Sequence, residues 1–110
     1  MTVLTQKHCV PCEGGTVPLF RPKAEELLKE LSNWQLAADG TSITKHYIFK
    51  NFSQALAFAN RIGAVADEEN HHPDLAVSWG RVGITLSTHA IGGLSENDFI
   101  LAAKIDSLDS

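Results

Sequence analysis

The chain has little cysteine, few aromatic residues and no long apolar run, and each shortage closes a class of explanation. Two cysteines in 110 residues cannot frame a disulfide-stapled fold, nor supply by themselves the four ligands of a structural zinc site. The apolar runs are a few residues long, against the roughly 20 that a membrane-spanning helix needs. Met1–Val10 has no basic cluster followed by an apolar core, so no secretory signal is expected and the chain reads as cytoplasmic. Basic residues are in deficit: 9 Lys and Arg against 13 Asp and Glu give a net charge of −4. That deficit argues against nucleic acid as a direct partner, because phosphate binding needs a basic surface. With 44% apolar and 20% charged residues, disorder is excluded as the main state. What is left is one small soluble domain. What the chain does have is histidine, five in all, of which His71, His72 and His89 lie close together in sequence.

Residues 1–19 lack periodicity and include Pro11, Gly14, Gly15 and Pro18, which predicts an extended arm outside the core, followed by one domain over 20–110. The arm carries His8-Cys9-x-x-Cys12. A thioredoxin-like motif would start a helix after a strand, whereas Glu13-Gly14-Gly15 follows here. The plain reading is a surface tail with two reduced thiols. Metal capture with a ligand from elsewhere, or a local disulfide, are the alternatives.

Beyond the arm, Leu27, Leu28 and Leu31 oppose Glu25, Glu26, Lys29 and Glu30, predicting a helix over 22–32 opened by Pro22. Trp34, Leu36 and Ala38 alternate before an Asp39-Gly40 turn, and 43–50 is rich in β-branched and aromatic residues, which makes a first hairpin. Phe52, Ala55, Leu56, Ala59, Ile62 and Ala66 predict a helix over about 52–70, capped by Asn51 or Ser53 and stopped near His72 by Pro73. Leu75, Val77 and Trp79, then Val82, Ile84 and Leu86, alternate about Gly80-Arg81 as a second hairpin. Ala90–Gly93 reads as a flexible connection, and Ser95-x-x-Asp98 as a capping box before a helix over 99–105. The fold class is therefore α+β in the order helix–hairpin–helix–hairpin–helix. A four-stranded antiparallel sheet carries three helices packed on one face, with the other face open or covered by another subunit.

The second hairpin brings Ser87-Thr88-His89 opposite the residues around His72, so three imidazoles converge at one end of the sheet. Imidazoles at a helix C-terminus also serve the helix dipole and its free carbonyls, which is the plainer role for His71 and His72. Asp67 and Glu68 lie four residues before His71 and His72, and each carboxylate can reach an imidazole and set its tautomer. Three imidazoles with an open position form a catalytic zinc arrangement, but the His-x-x-x-His spacing is absent and adjacent histidines point apart. General acid–base work fits the spacing better. No hydroxyl or thiol has a triad-like context, so a nucleophile is not expected.

The ordered set Asp67-x-x-x-His71-His72-Pro73, Trp79, Ile84-Thr85-Leu86-Ser87-Thr88-His89 and Gly93-Leu94-Ser95-x-x-Asp98 resembles the pterin-4a-carbinolamine dehydratase family over about 20–110. The resemblance implies an antiparallel four-stranded sheet with three helices on one face. It implies a dehydratase that removes water from 4a-hydroxytetrahydropterin to give quinonoid dihydropterin, recycling the cofactor of aromatic amino acid hydroxylases. By the family pattern His71 and His89 exchange the protons, His72 binds and orients the pterin, and Asp67 supports His71. Asn70–His72 and Ser87, Thr88, His89 and Ala90 line the pocket. The pterin is the substrate, and neither a metal nor a separate cofactor is expected. Asp98, which the family pattern sets near the site, is read here as the helix cap. Leu75 and Ala90 depart from common family residues and bear on the pocket wall.

Two other functions remain to be weighed. One is a protein-binding dimerisation module, since animal relatives partner a homeodomain transcription factor. The other is a metal-dependent hydrolase using the histidine cluster. The open sheet face and family precedent further imply a homodimer or homotetramer.

Overall fold

A computed structural model describes residues 4–9 and 17–108; Cys12, and with it any pairing of Cys9 and Cys12, lies outside the described residues. The elements are α1 (Arg21–Leu28), β1 (Gln35–Leu36), β2 (Ile43–Ile48), α2 (Phe52–Glu69), β3 (Asp74–Ser78), β4 (Arg81–Leu86) and α3 (Glu96–Leu108). Short 3-10 turns at Leu4–Gln6 and His89–Ile91 complete the set. The order is helix, hairpin, helix, hairpin, helix, and the sheet is antiparallel throughout in the order β1-β2-β4-β3.

Alternation fixes which face of the sheet is covered. Ile43 and Lys45 of β2 and Val82, Ile84 and Leu86 of β4 are buried on one face, against Ala55, Phe58 and Ile62 of α2 and Phe99 and Ile100 of α3. The opposite face presents the exposed Asp74, Ala76, Ser78, Arg81 and His46. This face is mostly polar, with the exposed Ile48 beside Arg81 as its large apolar residue. Helix α3 is buried almost all round, from Asn97 to Ala103 and again at Ile105, as suits a segment whose apolar residues do not keep to one stripe. Asp106, near its end, accepts hydrogen bonds from the Ser32 N–H, Trp34 Nε1, Lys45 Nζ and the Tyr47 hydroxyl, tying α3 to the first hairpin.

Three expectations change. Helix α1 ends at Leu28 and not at 32, because the chain turns out through 29–33 with Asn33 at φ 64°. The arm does not lie wholly outside the core: Leu4, in its described part, is 3% exposed and belongs to the core. The stretch Ala90–Gly93 is a built turn, with Thr88 paired to Gly93, Gly92 at φ 68°, and Gly93 so close to Pro18 that a Cβ would sit 2.9 Å from the proline Cβ.

Candidate active site

The end of α2 is the first component. Asn70 adopts the left-handed conformation at φ 52°, ψ 40°, its N–H reaching the Asp67 carbonyl, while the His71 N–H returns to the Ala66 carbonyl at 3.2 Å. This is a Schellman closure, for which asparagine is one of the few suitable residues besides glycine. The helix therefore stops at Glu69 through Asn70, three residues before Pro73, and His71 and His72 lie beyond it. The β3–β4 register ends with Asp74 opposite Thr85, which brings the chain at His71-His72 toward the Ser87-Thr88 end of β4. The first turn of α3 supplies the third component, Asp98.

These components meet at His71. Its Nε2 lies 2.6 Å from Asp98 Oδ1, with the Asp98 side chain fully buried and that of His71 13% exposed. The other oxygen, Oδ2, accepts from the Thr88 hydroxyl at 2.8 Å and from the Ser95 N–H at 3.0 Å. The Thr88 and Ser95 hydroxyls are 2.7 Å apart. A carboxylate receiving these hydrogen bonds can only accept, so His71 Nε2–H is the donor and Nδ1 carries the lone pair of the neutral ring. Asp98 thus supplies the carboxylate half of the capping box, accepting from the Ser95 N–H, and also orients His71. It does the work assigned from sequence to Asp67.

Asp67 instead holds His72, with Nε2 to Oδ1 at 2.8 Å on a pair that is mostly exposed. The two adjacent rings take different carboxylates, so they point apart. His89 is 79% exposed, and its Nε2 lies 3.9 Å from Asp74 Oδ2, the residue after Pro73. All three imidazoles are thus drawn to one end of the sheet. Among the described residues no group of three His, Cys, Asp or Glu side chains is placed to hold a metal ion. Asn70 and Ala90 are exposed and Ser87 is half-buried at this end. Thr88 is buried, its hydroxyl taken by Asp98 and Ser95 and its backbone by Gly93 and Ile91, so it supports the pair and does not face a ligand.

Glu69 is a charge that sequence reasoning passed over. It is the last residue of α2, with its side chain 2% exposed. Oε2 accepts from Lys104 Nζ at 2.6 Å and faces His8 Nδ1 at 3.1 Å, and Oε1 accepts from the Cys9 N–H at 2.9 Å. Burial opposes ionisation, but the Lys104 ammonium and these donors outweigh it and hold the carboxyl down at about 2. Cys9 is affected in the opposite sense: burial, and then the nearby Glu69 charge, push its thiol up to about 12, so it is not a reactive thiolate. Its Sγ lies 3.5 Å from the Asn97 carbonyl. The signal for Glu69 was available in its place on the apolar stripe of α2, three residues after Ala66.

A cavity of about 440 Å³ lies at the far end of β2, lined by Tyr47, Phe49, Gln54, Phe58 and Arg61. None of the histidines lines it.

Comparison with known proteins bears on this arrangement. Residues 17–108 match the family model described as Pterin 4 alpha carbinolamine dehydratase. Relatives named for that dehydratase include one from Rickettsia canadensis, 54% identical over 97% of this chain and 98% of its own. Another, from Halorhodospira halophila, is 48% identical over 96% of each chain. Among solved structures, a transcriptional coactivator/pterin dehydratase from Brucella melitensis is similar at a TM-score of 0.79 and 31% identity, over 84% of this chain and 99% of that one. A pterin dehydratase-like protein described as a RuBisCO assembly factor in the alpha-carboxysome reaches a TM-score of 0.60 at 26% identity, over 70% of this chain and 89% of that one. The α+β fold with three helices on an antiparallel sheet is thus that of a pterin-dehydratase structure. The chain belongs to the pterin-4a-carbinolamine dehydratase family.

Proposed function

We propose that this chain eliminates water from a 4a-hydroxytetrahydropterin by histidine general acid–base catalysis. The product is quinonoid dihydropterin, which a reductase can return to the tetrahydro cofactor of an aromatic amino acid hydroxylase. One proton is delivered to the 4a-hydroxyl, the C4a–O bond breaks with its electron pair going to the departing water, and the N5 proton is removed as the C4a=N5 bond forms. Protons balance and no electrons are gained or lost, so the reaction asks only for an acid and a base held near each other.

The observation that carries this reading is the His71–Asp98 pair. A buried carboxylate on Nε2 fixes the ring's orientation and leaves Nδ1 to face the substrate as the proton acceptor. His71 is accordingly the base toward N5, and His89, exposed beside Asp74 and able to carry a proton, is the acid toward the hydroxyl. His72, fixed by Asp67 at the rim, orients the pterin. Proton transfer of this kind contributes about 10²–10⁴ in rate. Two of the solved neighbours bear coactivator and assembly-factor descriptions. The complete histidine set favours the dehydratase reading here.

Replacing His71 and His89 together by Ala should remove the acceleration, roughly 10²-fold or more, while far-ultraviolet circular dichroism stays unchanged. His72→Ala should raise KM more than it lowers kcat. Stopped-flow decay of the carbinolamine measures both, and undiminished turnover by the double variant would overturn the proposal.

A further inference from the structure

We propose that Glu69 is a positioning residue for His71, fastening the amino-terminal segment across the α2–α3 junction so that the imidazole is aimed at Asp98; its kinetic consequence rests on the dehydratase reading. The His71–Asp98 pair joins two elements distant in sequence: the turn that ends α2 and the first turn of α3. Segment 4–9 is bonded to both. The Cys9 N–H donates to Glu69, two residues before His71, and Cys9 Sγ sits against the carbonyl of Asn97, one residue before Asp98. Lys7 Nζ reaches Glu96 Oε2 at 2.9 Å on the same turn of α3. Leu4 anchors the segment in the core beneath.

Glu69 is where these ties cross. Lys104 brings α3 to it, Cys9 and His8 bring the segment to it, and its own backbone leads directly into Asn70 and His71. Its carboxylate is taken up by His8, Cys9 and Lys104, not by His71, His72 or His89, so it does not share in the proton transfers. A buried ion pair is a poor source of stability compared with well-packed apolar side chains. What it supplies is direction: a carboxylate with fixed donors on three sides permits one placement of the turn it terminates. A chain with an apolar residue here would pack the same helices with their ends less closely defined.

The test uses the full chain with histidine ring nitrogens labelled for NMR. Glu69→Ala removes the hub. Cys9→Pro removes the N–H that Glu69 accepts together with the thiol, and Cys9→Ala deletes the thiol alone, so the difference between the two reads the N–H. With the His71 ring signal assigned by its loss in His71→Ala, Glu69→Ala and Cys9→Pro should shift and broaden its Nε2 proton resonance. The His72 and His89 ring signals should stay in place, and Cys9→Ala should leave the His71 signal as it is. Misplacement of a reacting group by about an ångström costs on the order of 10²-fold, so kcat should fall toward that extent with KM unchanged. An unmoved His71 resonance in Glu69→Ala and Cys9→Pro overturns the proposal. If Glu69→Ala does not fold, Cys9→Pro decides alone, because Glu69 and Lys104 remain paired in it. A His71 resonance that moves as expected, in a chain whose unaltered form does not accelerate dehydration, upholds the positioning role and rejects the dehydratase reading.

Discussion

A single carboxylate, Asp98, does two jobs with two oxygens. One oxygen takes the capping-box hydrogen bond from Ser95 and another from Thr88, and the other holds His71. Sequence spacing makes the first job visible, because Ser-x-x-acid before an apolar run is a local pattern. The second is invisible to it, since it depends on two residues 27 positions apart returning to one place. Asp67 was the natural partner for His71 on helical spacing. It fails because the helix has already ended: past the left-handed Asn70, an i to i+4 relation no longer sets two side chains on one face. Asp98→Ala should therefore damage stability and catalysis together. It orphans the buried Ser95 N–H and leaves the Thr88 hydroxyl with Ser95 alone, at about 1–3 kcal/mol for a buried group left unpaired. Urea unfolding midpoints measure the first effect and carbinolamine turnover the second. A variant that keeps wild-type stability would show that these groups find other partners.

At the scale of elements, periodicity sufficed wherever an element has one buried side. Helix α2 and both hairpins follow their apolar spacing to within a residue or two, and Asn51 caps α2 by accepting from the Gln54 N–H at 2.8 Å. The second hairpin closes at Gly80, whose φ of 71° leaves a Cβ only 2.9 Å from the Phe49 carbonyl oxygen, so glycine is required there. What periodicity missed are the ties between elements, made by charges set on apolar faces: Lys45 to Asp106, and Lys104 to Glu69. The second tie has a consequence in acid. The Glu69 carboxyl is held at about 2 in the fold against an ordinary 4.5 in the unfolded chain. A depressed carboxyl contributes stability that is complete above its unfolded value and is lost as pH falls toward its folded one. The chain should accordingly weaken between pH 4.5 and about 2, and Glu69→Gln should flatten that dependence while lowering stability at neutral pH. Urea midpoints across this range are the measurement, and an equal slope in both chains would count against the tie.

For the whole molecule, the open sheet face gave a reason to expect a second subunit, and the structure moves that reason to the sheet edge. The face is mostly polar, whereas β3 is an edge strand paired only to β4 among the described residues. Its protections lie at its start, in Pro73 and the charged Asp74; Leu75–Ser78 holds no charge, no proline and no bulge, and Trp79 beside it is 74% exposed. Two copies of β3 related by a two-fold axis at Ala76 would pair antiparallel, with Asp74 of one protomer opposite Ser78 of its partner and no like charges face to face. The sheet would then run continuously through eight strands, and each protomer would keep its own His71–Asp98 pair. We therefore expect a homodimer, with light scattering reporting about twice the 11.9 kDa of the single chain. Ala76→Glu sets two carboxylates opposite each other at the axis, where like charges oppose pairing, and should return the monomer mass. A dimer that survives Ala76→Glu would place the interface elsewhere, and the exposed Phe52 and Leu56 of α2 are the next surface to vary.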